Sequence, residues 1–524
     1  MSERHNTADL RNLYLGRLDI YTSADEITEE NVLVEANRAL SWHAHNVAEE
    51  DYLFWYRRGD QPILDRVKKR NKYVNNKIVE NHAEEIVAFK NGYFLNSEIM
   101  YIARRDEAQD EVKDLNEYLY RSGKLDADTE LVNWFHEVGK GCLLVEPGTD
   151  DEIPVVAYAL DPRKAFVVYS TRPGHEPMMG INAVAVGDSI YVDVYTKTQV
   201  FRLMGTSTMT STSTLVNPIT QVCSQILKVE NNAVGEVPMI EYRYNSQNMA
   251  AFEAAIPLLD LLNQLASDRV DGIDQFIQSL TVIYNADLPE GETVDSLKAS
   301  GLLLLKSTGD QKSDIKILSE QLNQSQTQEF VDYVYQQILT ICEMPVTQFG
   351  QKSSSDNQGA VLARNGWYQA DASAQNTEKQ FRRSNRYFDR IFLKLLRERK
   401  LTKLSITDFE LQFSRNETSN IVAKSQAAMN LASIGLHPAL FLGKSGVSND
   451  PMSDYEMSKP WMDAMLNQKT GKYSQEAQTE QREYERERDE KQSEMDATEM
   501  RNLDENEQSR NGNRGHFVRG YYRQ

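Results

Sequence analysis

The sequence predicts an α+β protein with more helix than strand. Apolar residues follow the three- and four-residue spacing of a single helical face over 257–280, over 321–343 and in a long segment from about 360 to 400. Between 142 and 204, short β-branched segments alternate with Pro, Gly and Asp turns, which is typical of a mixed or antiparallel sheet. Because the chain has 524 residues, more than one core usually supports, we expect two or more packed units.

Composition indicates a soluble protein, with 40% hydrophobic and 26% charged residues. No apolar run reaches the roughly 18 residues that a membrane span needs, and the charged N-terminus lacks the apolar core of a secretory signal. The net charge of −20 disfavours tight, static binding of nucleic acid by the whole chain, because such surfaces are usually basic. Cys142, Cys223 and Cys342 are far apart, so we expect buried, reduced thiols and folding in a reducing cytoplasm.

The N-terminal part of the chain begins with polar residues, 1–28, that are predicted to be flexible. Periodicity and aromatic content then predict helices over 29–47, 77–90, 110–121 and 126–139, an aromatic cluster over 51–59 and a strand over 92–102. A run of basic residues lies around the start of the second helix. We interpret it as a solvated face, with nucleic-acid contact as the alternative: Arg66, Lys68, Lys69, Arg70, Lys72 and Lys77.

The two central helices have clear boundaries. The first begins at Pro257, since proline is tolerated in the first turn, and the second ends before Pro345. The segment between them, 281–318, is too small for its own core, so it must pack against copies of itself or a partner. By themselves the helices indicate an antiparallel hairpin in a globular core. The face of the first helix that is opposite to its apolar stripe is acidic and includes Asp260, Asp268, Asp271 and Asp274.

A polar loop over 344–360 follows the second helix. Its side chains are too polar to bury, and they include Gln348, Gln351, Lys352, Ser353, Ser354, Ser355 and Asn357. After the long helix, we expect a strand over 404–414 and shorter helices over 417–465. From about residue 472 the chain is rich in Glu, Gln and Arg, which predicts a solvated helix or disorder.

The sequence contains no set of residues that predicts catalysis. It has no G-x-x-x-x-G-K-[ST] phosphate loop, no H-E-x-x-H, no G-x-S-x-G and no metal-binding spacing among its cysteines. His43 and His45 form the only close histidine pair, and residues two apart do not share a helical face. We therefore expect a protein that is not an enzyme and that uses no cofactor or metal.

Four segments carry a resemblance to a known family. They are YLFWYRRGDQPIL at 52–64, NNKIVENHAEEIVAFKNGYFL at 75–95, GEVPMIEYRYN at 235–245, and MPVTQFG at 344–350 with SSSDNQGA and a long helix behind it. In this order, over about 30–465, the chain resembles portal proteins of tailed double-stranded DNA bacteriophages, of the type found in siphophages of Gram-positive hosts. The family loop usually resembles Ser-Ser-Gly-x-Ala, whereas Asp356, Asn357 and Gln358 here separate Ser355 from Gly359.

The resemblance implies a mainly helical portal fold that assembles as a ring with a central channel. Such rings have twelve subunits, are assembled in the host cytoplasm and occupy one capsid vertex of the virion. The implied parts are a wing at 29–250 and 361–414, stem helices at 251–280 and 319–343, a clip at 281–318, a tunnel loop at 344–360 and a crown at 415–470, followed by a charged tail at 471–524.

The resemblance also implies partners. Double-stranded DNA would pass through the channel without sequence recognition, and the terminase large subunit and later a head–tail connector would dock at the clip. The major capsid protein and scaffolding protein are the other implied partners. In a ring, Lys352 becomes a ring of positive charge and each stem acid a ring of negative charge, so the walls would repel phosphate. The clip residues implied in docking are Asp287, Glu290, Glu292, Lys298 and Lys306.

Two other functions stay open on the sequence. One is a metal-dependent nuclease that carries a helical-hairpin insertion and uses scattered carboxylates. The other is a capsid scaffold protein that forms no DNA conduit.

Overall fold

The computed structural model describes residues 16–68, 74–95, 98–150, 152–206, 222–277, 281–284, 302–305, 324–346, 366–413, 421–445, 447, 454–455 and 457–462. Predictions that fall on other residues lie outside the described part of the chain. The chain divides into two compact units, Met1–Asn420 and Ile421–Gln524, and each is described by itself.

The first unit has the α+β architecture that the sequence predicts. Its helices are α1 (Val32–Arg57), α2 (His82–Phe94), α3 (Gln109–Arg121), α4 (Lys124–Val138), α5 (Ile256–Ile277), α6 (Gln324–Ile341) and α7 (Trp367–Glu398). Helices α5 and α6 match the two central helices of the sequence analysis, and α7 matches the long helix. Gly139 ends α4 with a φ of 95°, a left-handed conformation that glycine adopts without the strain of a side chain.

The strands form four sheets. They are β1 (Ile20–Thr22), β2 (Met100–Ala103), β3 (Lys140–Pro147), β4 (Val155–Leu160), β5 (Ala165–Ser170), β6 (Pro177–Val186), β7 (Ser189–Thr196), β8 (Gln199–Thr206), β9 (Val222–Asn231), β10 (Met239–Arg243), β11 (Thr281–Tyr284), β12 (Leu302–Leu305) and β13 (Phe409–Gln412). The largest sheet has the order β1-β5-β6-β7-β8-β9, and a second has the order β10-β3-β4. Neighbouring strands are antiparallel, except that β1 is parallel to β5 and β11 is parallel to β12.

The large sheet buries one face against helix α1. Strand β7 alternates as a half-buried strand should, with Ile190, Val192 and Val194 buried and Tyr191 exposed. The buried side chains share a hydrophobic cluster with Val32 of α1 and with the first strand. This packing explains why the β-branched segments between 142 and 204 form sheets.

A second core lies between α7, α4 and the three-stranded sheet. Phe381, Phe388 and Phe392 of α7 are buried in one cluster with Phe135 and Tyr242. Within this cluster the buried ammonium of Lys124 pairs with Asp128, which lies one turn further along α4. The core therefore encloses a charge pair as well as aromatic rings.

The structure differs from the predictions in the N-terminal part. Residues predicted as a flexible segment over 1–28 include β1 and a buried arginine, Arg17. The predicted helix over 29–47 and the aromatic cluster over 51–59 form one helix, α1, because no helix-breaking residue occurs before Gly59. His43, which the sequence leaves as a surface or partly buried residue, is buried against Phe166 at a ring-centroid distance of 4.0 Å.

Other predictions are confirmed. Cys142, Cys223 and Cys342 are buried and free. In the second unit, two of the short helices predicted over 417–465 are present, α8 (Ile421–Ser433) and α9 (Pro438–Ser445). The Ser/Thr-rich 207–221 segment and the tail after residue 472 lie outside the described residues.

Candidate functional site

Helices α5 and α6 form the centre of the candidate site. Leu259 and Leu262 of α5 and Val334 and Ile338 of α6 are buried in one cluster, together with side chains of α1 and α2. Arg269 of α5 donates a hydrogen bond to the Gln328 side chain of α6 over 2.8 Å. Helices α5 and α6 are therefore packed against α1 and α2 of the first unit.

The acidic face of α5 is covered by an extended segment of the same chain. The backbone N–H groups of Asn76, Ile78 and Glu80 donate to side chains that lie four residues apart on α5: Asp271 at 2.7 Å, Ser267 at 2.9 Å and Asn263 at 2.8 Å. We call this arrangement the helix–strap ladder. It explains why the helix predicted over 77–90 begins only at His82: the residues before it are held extended.

Three of the four acids predicted on this face have partners in the strap or in residues 66–68, which precede it in the chain. Arg66 forms an ion pair with Asp268 and another, over 3.3 Å, with Asp271. Asp271 also pairs with Lys68, and the side chain of Asn76 bridges it to Asp274, over 2.9 and 2.6 Å. The basic residues Arg66 and Lys68, which we interpreted as a solvated face, are thus partners of these acids.

The fourth acid, Asp260, accepts a hydrogen bond over 2.9 Å from the hydroxyl of Tyr56. Asp271 is only 1% exposed. Its burial opposes ionisation, but hydrogen bonds from Lys68 and Asn76 outweigh that effect and hold its pKa below the usual value. Asp268 is the most open of the acids, since its side chain is 47% exposed. A channel-facing role for these acids stays a prediction.

Replacing Ser267 by alanine should loosen the strap. Ser267 is fully buried, and its loss leaves the N–H of Ile78 without an acceptor, so we expect the free energy of unfolding to fall by about 1–3 kcal/mol. Urea denaturation measures this change, and hydrogen exchange at Ile78 reports the strap directly. Ser41→Ala, on the exposed face of α1, is the control. Equal effects of the two variants would contradict a role for the ladder.

Four large apolar side chains of the helix pair are exposed in the subunit. Ile273 of α5 is 46% exposed, and Phe330, Tyr333 and Ile341 of α6 are exposed to a similar or greater degree. Several exposed large apolar side chains on one pair of helices are typical of a contact with another molecule. This region is therefore the best candidate for an interface among the described residues of α5 and α6.

A charged junction at the start of α5 was missed by the sequence analysis. The guanidinium of Arg17, whose side chain is fully buried, pairs with Glu253 at 2.6 Å and with Glu49 of α1 at 3.1 Å, and it donates to the carbonyl of Val138. Burial raises the pKa of Glu49 to about 7 against the opposing effect of Arg17. In the sequence, the only local signal of order beside Arg17 is the alternation of Leu18, Ile20 and Thr22 with polar or aromatic residues.

Other predicted site residues lie outside the described part of the chain. They are the loop residues Gln348, Gln351, Lys352, Ser353, Ser354, Ser355 and Asn357, and the clip residues Asp287, Glu290, Glu292, Lys298 and Lys306. Strands β11 and β12, on which the clip prediction rested, pair in parallel over Thr281–Tyr284 and Leu302–Leu305.

Among the described residues, no three His, Cys, Asp or Glu side chains are grouped so as to hold a metal ion. None of the helices described is long and apolar enough to span a bilayer.

Comparison with known proteins identifies the family. None of the curated proteins compared matches the chain. A family model described as "Phage portal protein, SPP1 Gp6-like" matches residues 39–499, which is most of the 524-residue chain and includes α5, α6 and α7. The resemblance inferred from the four sequence segments is thereby confirmed. The chain belongs to the phage portal protein family of the SPP1 Gp6-like type.

Proposed function

We propose that the protein assembles into a ring that serves as the DNA conduit at one capsid vertex. In this proposal, DNA enters through the ring during genome packaging and leaves through it during ejection. Membership in the phage portal family supports a virion protein with a role in packaging. The observation that carries the ring itself is the set of exposed apolar side chains on α5 and α6, which need a covering neighbour.

A ring would supply packing partners for side chains and strands that have few in a single subunit. A side chain such as Tyr333, 57% exposed, gains a partner when α6 of one subunit packs on its neighbour. The two-stranded parallel pair β11–β12 is below the size of a stable sheet, so repetition around a ring would supply further packing. We take the number of subunits as twelve, by analogy with the family.

The family's parts map onto the described elements. In the proposed assignment, α1–α4, β1–β10, α7 and β13 form the wing, α5 and α6 are the stem helices, β11 and β12 belong to the clip, and α8 and α9 belong to the crown. The 344–360 loop would line the channel. The terminase large subunit and later a head–tail connector would dock at the clip, while major capsid and scaffolding proteins would contact the ring from outside.

The proposed channel acts by charge rather than by base recognition. Lys352 and its neighbouring Ser and Gln side chains would touch phosphates as DNA passes, and the acids of the stem would limit sticking. Among the stem acids, Asp268 suits this role best, because it is the most exposed, whereas Asp271 is already covered by the strap. We propose no enzymatic step for the chain, and no observation favours the nuclease or non-conduit alternatives.

Replacing Lys352 by glutamate tests the proposal. We expect rings with a central hole in negative-stain images of both the wild type and the variant. The yield of packaged DNA should fall at least tenfold in the variant, because a ring of positive charge becomes a ring of negative charge facing phosphate. Lys113→Glu, an exposed substitution on α3 with the same charge change, should package normally.

Two outcomes would contradict this proposal. A wild-type chain that stays monomeric in images and in sedimentation would exclude the conduit. A Lys352→Glu variant that fails to form rings would show that Lys352 acts in assembly rather than on DNA.

A further inference from the structure

Helix α7 carries an exposed face that is purely basic. From residue 379 to residue 397, every charged side chain that reaches the surface is a base: Lys379, Arg382, Arg383, Arg386, Arg390, Lys394 and Arg397. The acids within and directly before this stretch, Asp389 and Glu378, are buried, at 4% and 7% exposure, and an exposed acid, Glu398, follows it as the last residue of the helix. In a chain with 78 acids and 58 Lys and Arg residues, such a separation of charge along one helix is a distinct local feature.

Two of these bases form hydrogen bonds with backbone carbonyls of the same subunit. Lys394 donates to the carbonyl of Val234 at 2.7 Å, and the guanidinium Nε of Arg397 donates to the carbonyl of Leu404 at 3.0 Å. The remaining five define what we call the basic face: Lys379, Arg382, Arg383, Arg386 and Arg390.

The basic face is only weakly neutralised. Arg382 and Arg390 are 3.9 and 3.5 Å from single carboxylates, Glu378 and Glu236 respectively, and both arginine side chains stay about half exposed. Arg383 and Arg386 are exposed and form no hydrogen bond or ion pair with any residue that the structure describes. Their charge is therefore available to a partner.

The chemistry of the face points to phosphate. Along α7, no large apolar side chain after Tyr368 is exposed, so the face lacks the aromatic or aliphatic anchor on which protein partners usually depend. Interfaces with DNA, in contrast, are polar and strongly positive. Guanidinium groups bind phosphate oxygens with two parallel hydrogen bonds. The five bases extend over about 16 Å of rigid helix, enough to meet several phosphates of a duplex.

We propose that the basic face of α7 is a second DNA-binding surface, one that holds duplex DNA by its phosphates without reading sequence. The surface is distinct from the tunnel-loop residues, and its action does not depend on a central channel. It also accounts for how a protein with a net charge of −20 binds DNA locally: between residues 378 and 397 the acids of the helix are buried, whereas the bases reach the surface.

The test is a salt titration of DNA binding with the full-length, purified assembly. A fluorescent 30-base-pair duplex of random sequence is titrated at several salt concentrations, with wild type and with the triple variant Lys379→Gln, Arg383→Gln, Arg386→Gln. Loss of three phosphate contacts should reduce the slope of log Kobs against log salt by about 2 to 3 and weaken binding at 50 mM salt about tenfold or more. Arg383→Lys with Arg386→Lys should retain most of the slope, since charge is kept.

The control has the same change of charge elsewhere on the surface. It is Arg104→Gln, Arg105→Gln, Lys113→Gln, which changes two exposed bases that follow β2 and one on α3, and it should bind DNA as the wild type does. Unchanged DNA binding by the triple variant would overturn the proposal. An equal loss of binding in the control would also overturn it, because the loss would then follow from net charge alone. If the triple variant loses binding of polyglutamate but keeps DNA binding, the proposal is wrong and the face binds an acidic protein instead.

Discussion

Arg17→Met should lower the free energy of unfolding by about 3–5 kcal/mol, the range found when one partner of a buried ion pair is removed. Glu253, whose side chain is fully buried, loses its closest cation, and Glu49 loses a contact at 3.1 Å. The unpaired carboxylates must then be protonated or solvated. Because Arg17 also joins the N-terminal segment to the carbonyl that ends α4, urea denaturation should detect the loss in the whole first unit.

Two further variants separate this effect from a general loss of packing. Arg17→Met combined with Glu253→Gln removes both charges, so it should recover a large part of the stability. Arg38→Met removes an arginine that is 40% exposed and pairs with Glu35 three residues earlier on α1, and it should cost less than about 1 kcal/mol. Additive effects of the Arg17 and Glu253 substitutions would show that the pair is not coupled.

The second large effect concerns Glu50 and pH. Glu50 is 1% exposed and its Oε2 atom has no hydrogen-bond partner among the described residues. Burial raises the pKa of Glu50 from 4.5 to about 8. Between these values the folded protein binds a proton that the unfolded chain releases, so stability falls as pH rises from about 5 to 8. The contribution of this one group is on the order of 4 kcal/mol.

Glu50→Gln should therefore flatten the pH profile and raise stability at pH 8. The measurement is urea denaturation of wild type and variant at pH 5 and at pH 8. Glu117→Gln, an exposed substitution on α3, should leave the profile unchanged. A residual slope of the same sign is expected in Glu50→Gln, because burial also raises the pKa of Glu378 and Asp389 to about 7. Parallel profiles of wild type and Glu50→Gln would exclude this role of Glu50.

Much of the fold could be predicted from periodicity. The boundaries of α5 lie within three residues of the prediction, because Pro257 marks its first turn and its apolar stripe is continuous. The helical stripe of α7 and the β-branched strands were predicted on the same physical ground. These signals are local, because the spacing of apolar residues within each segment identifies the face that the segment buries.

The contacts of the candidate site could not be predicted in the same way. That Asp271 pairs with Lys68 and Asn76 depends on residues about 200 positions apart in the chain. Likewise, Arg17 and Glu253 are polar residues whose burial follows from a distant partner rather than from any local pattern. The sequence indicated which residues carry charge, but only the fold determines which of those charges are neutralised.

The helix–strap ladder pairs two repeats of slightly different length. Two residues of an extended strap advance about 6.6 Å along the chain, whereas four residues of α5 advance about 6.0 Å along the helix axis. The spacing of donors and the spacing of acceptors therefore differ by about 0.6 Å between successive hydrogen bonds. All three hydrogen bonds nevertheless stay between 2.7 and 2.9 Å. A slide of α5 along the strap would break all three hydrogen bonds at once, so the ladder opposes axial displacement of the helix within the subunit.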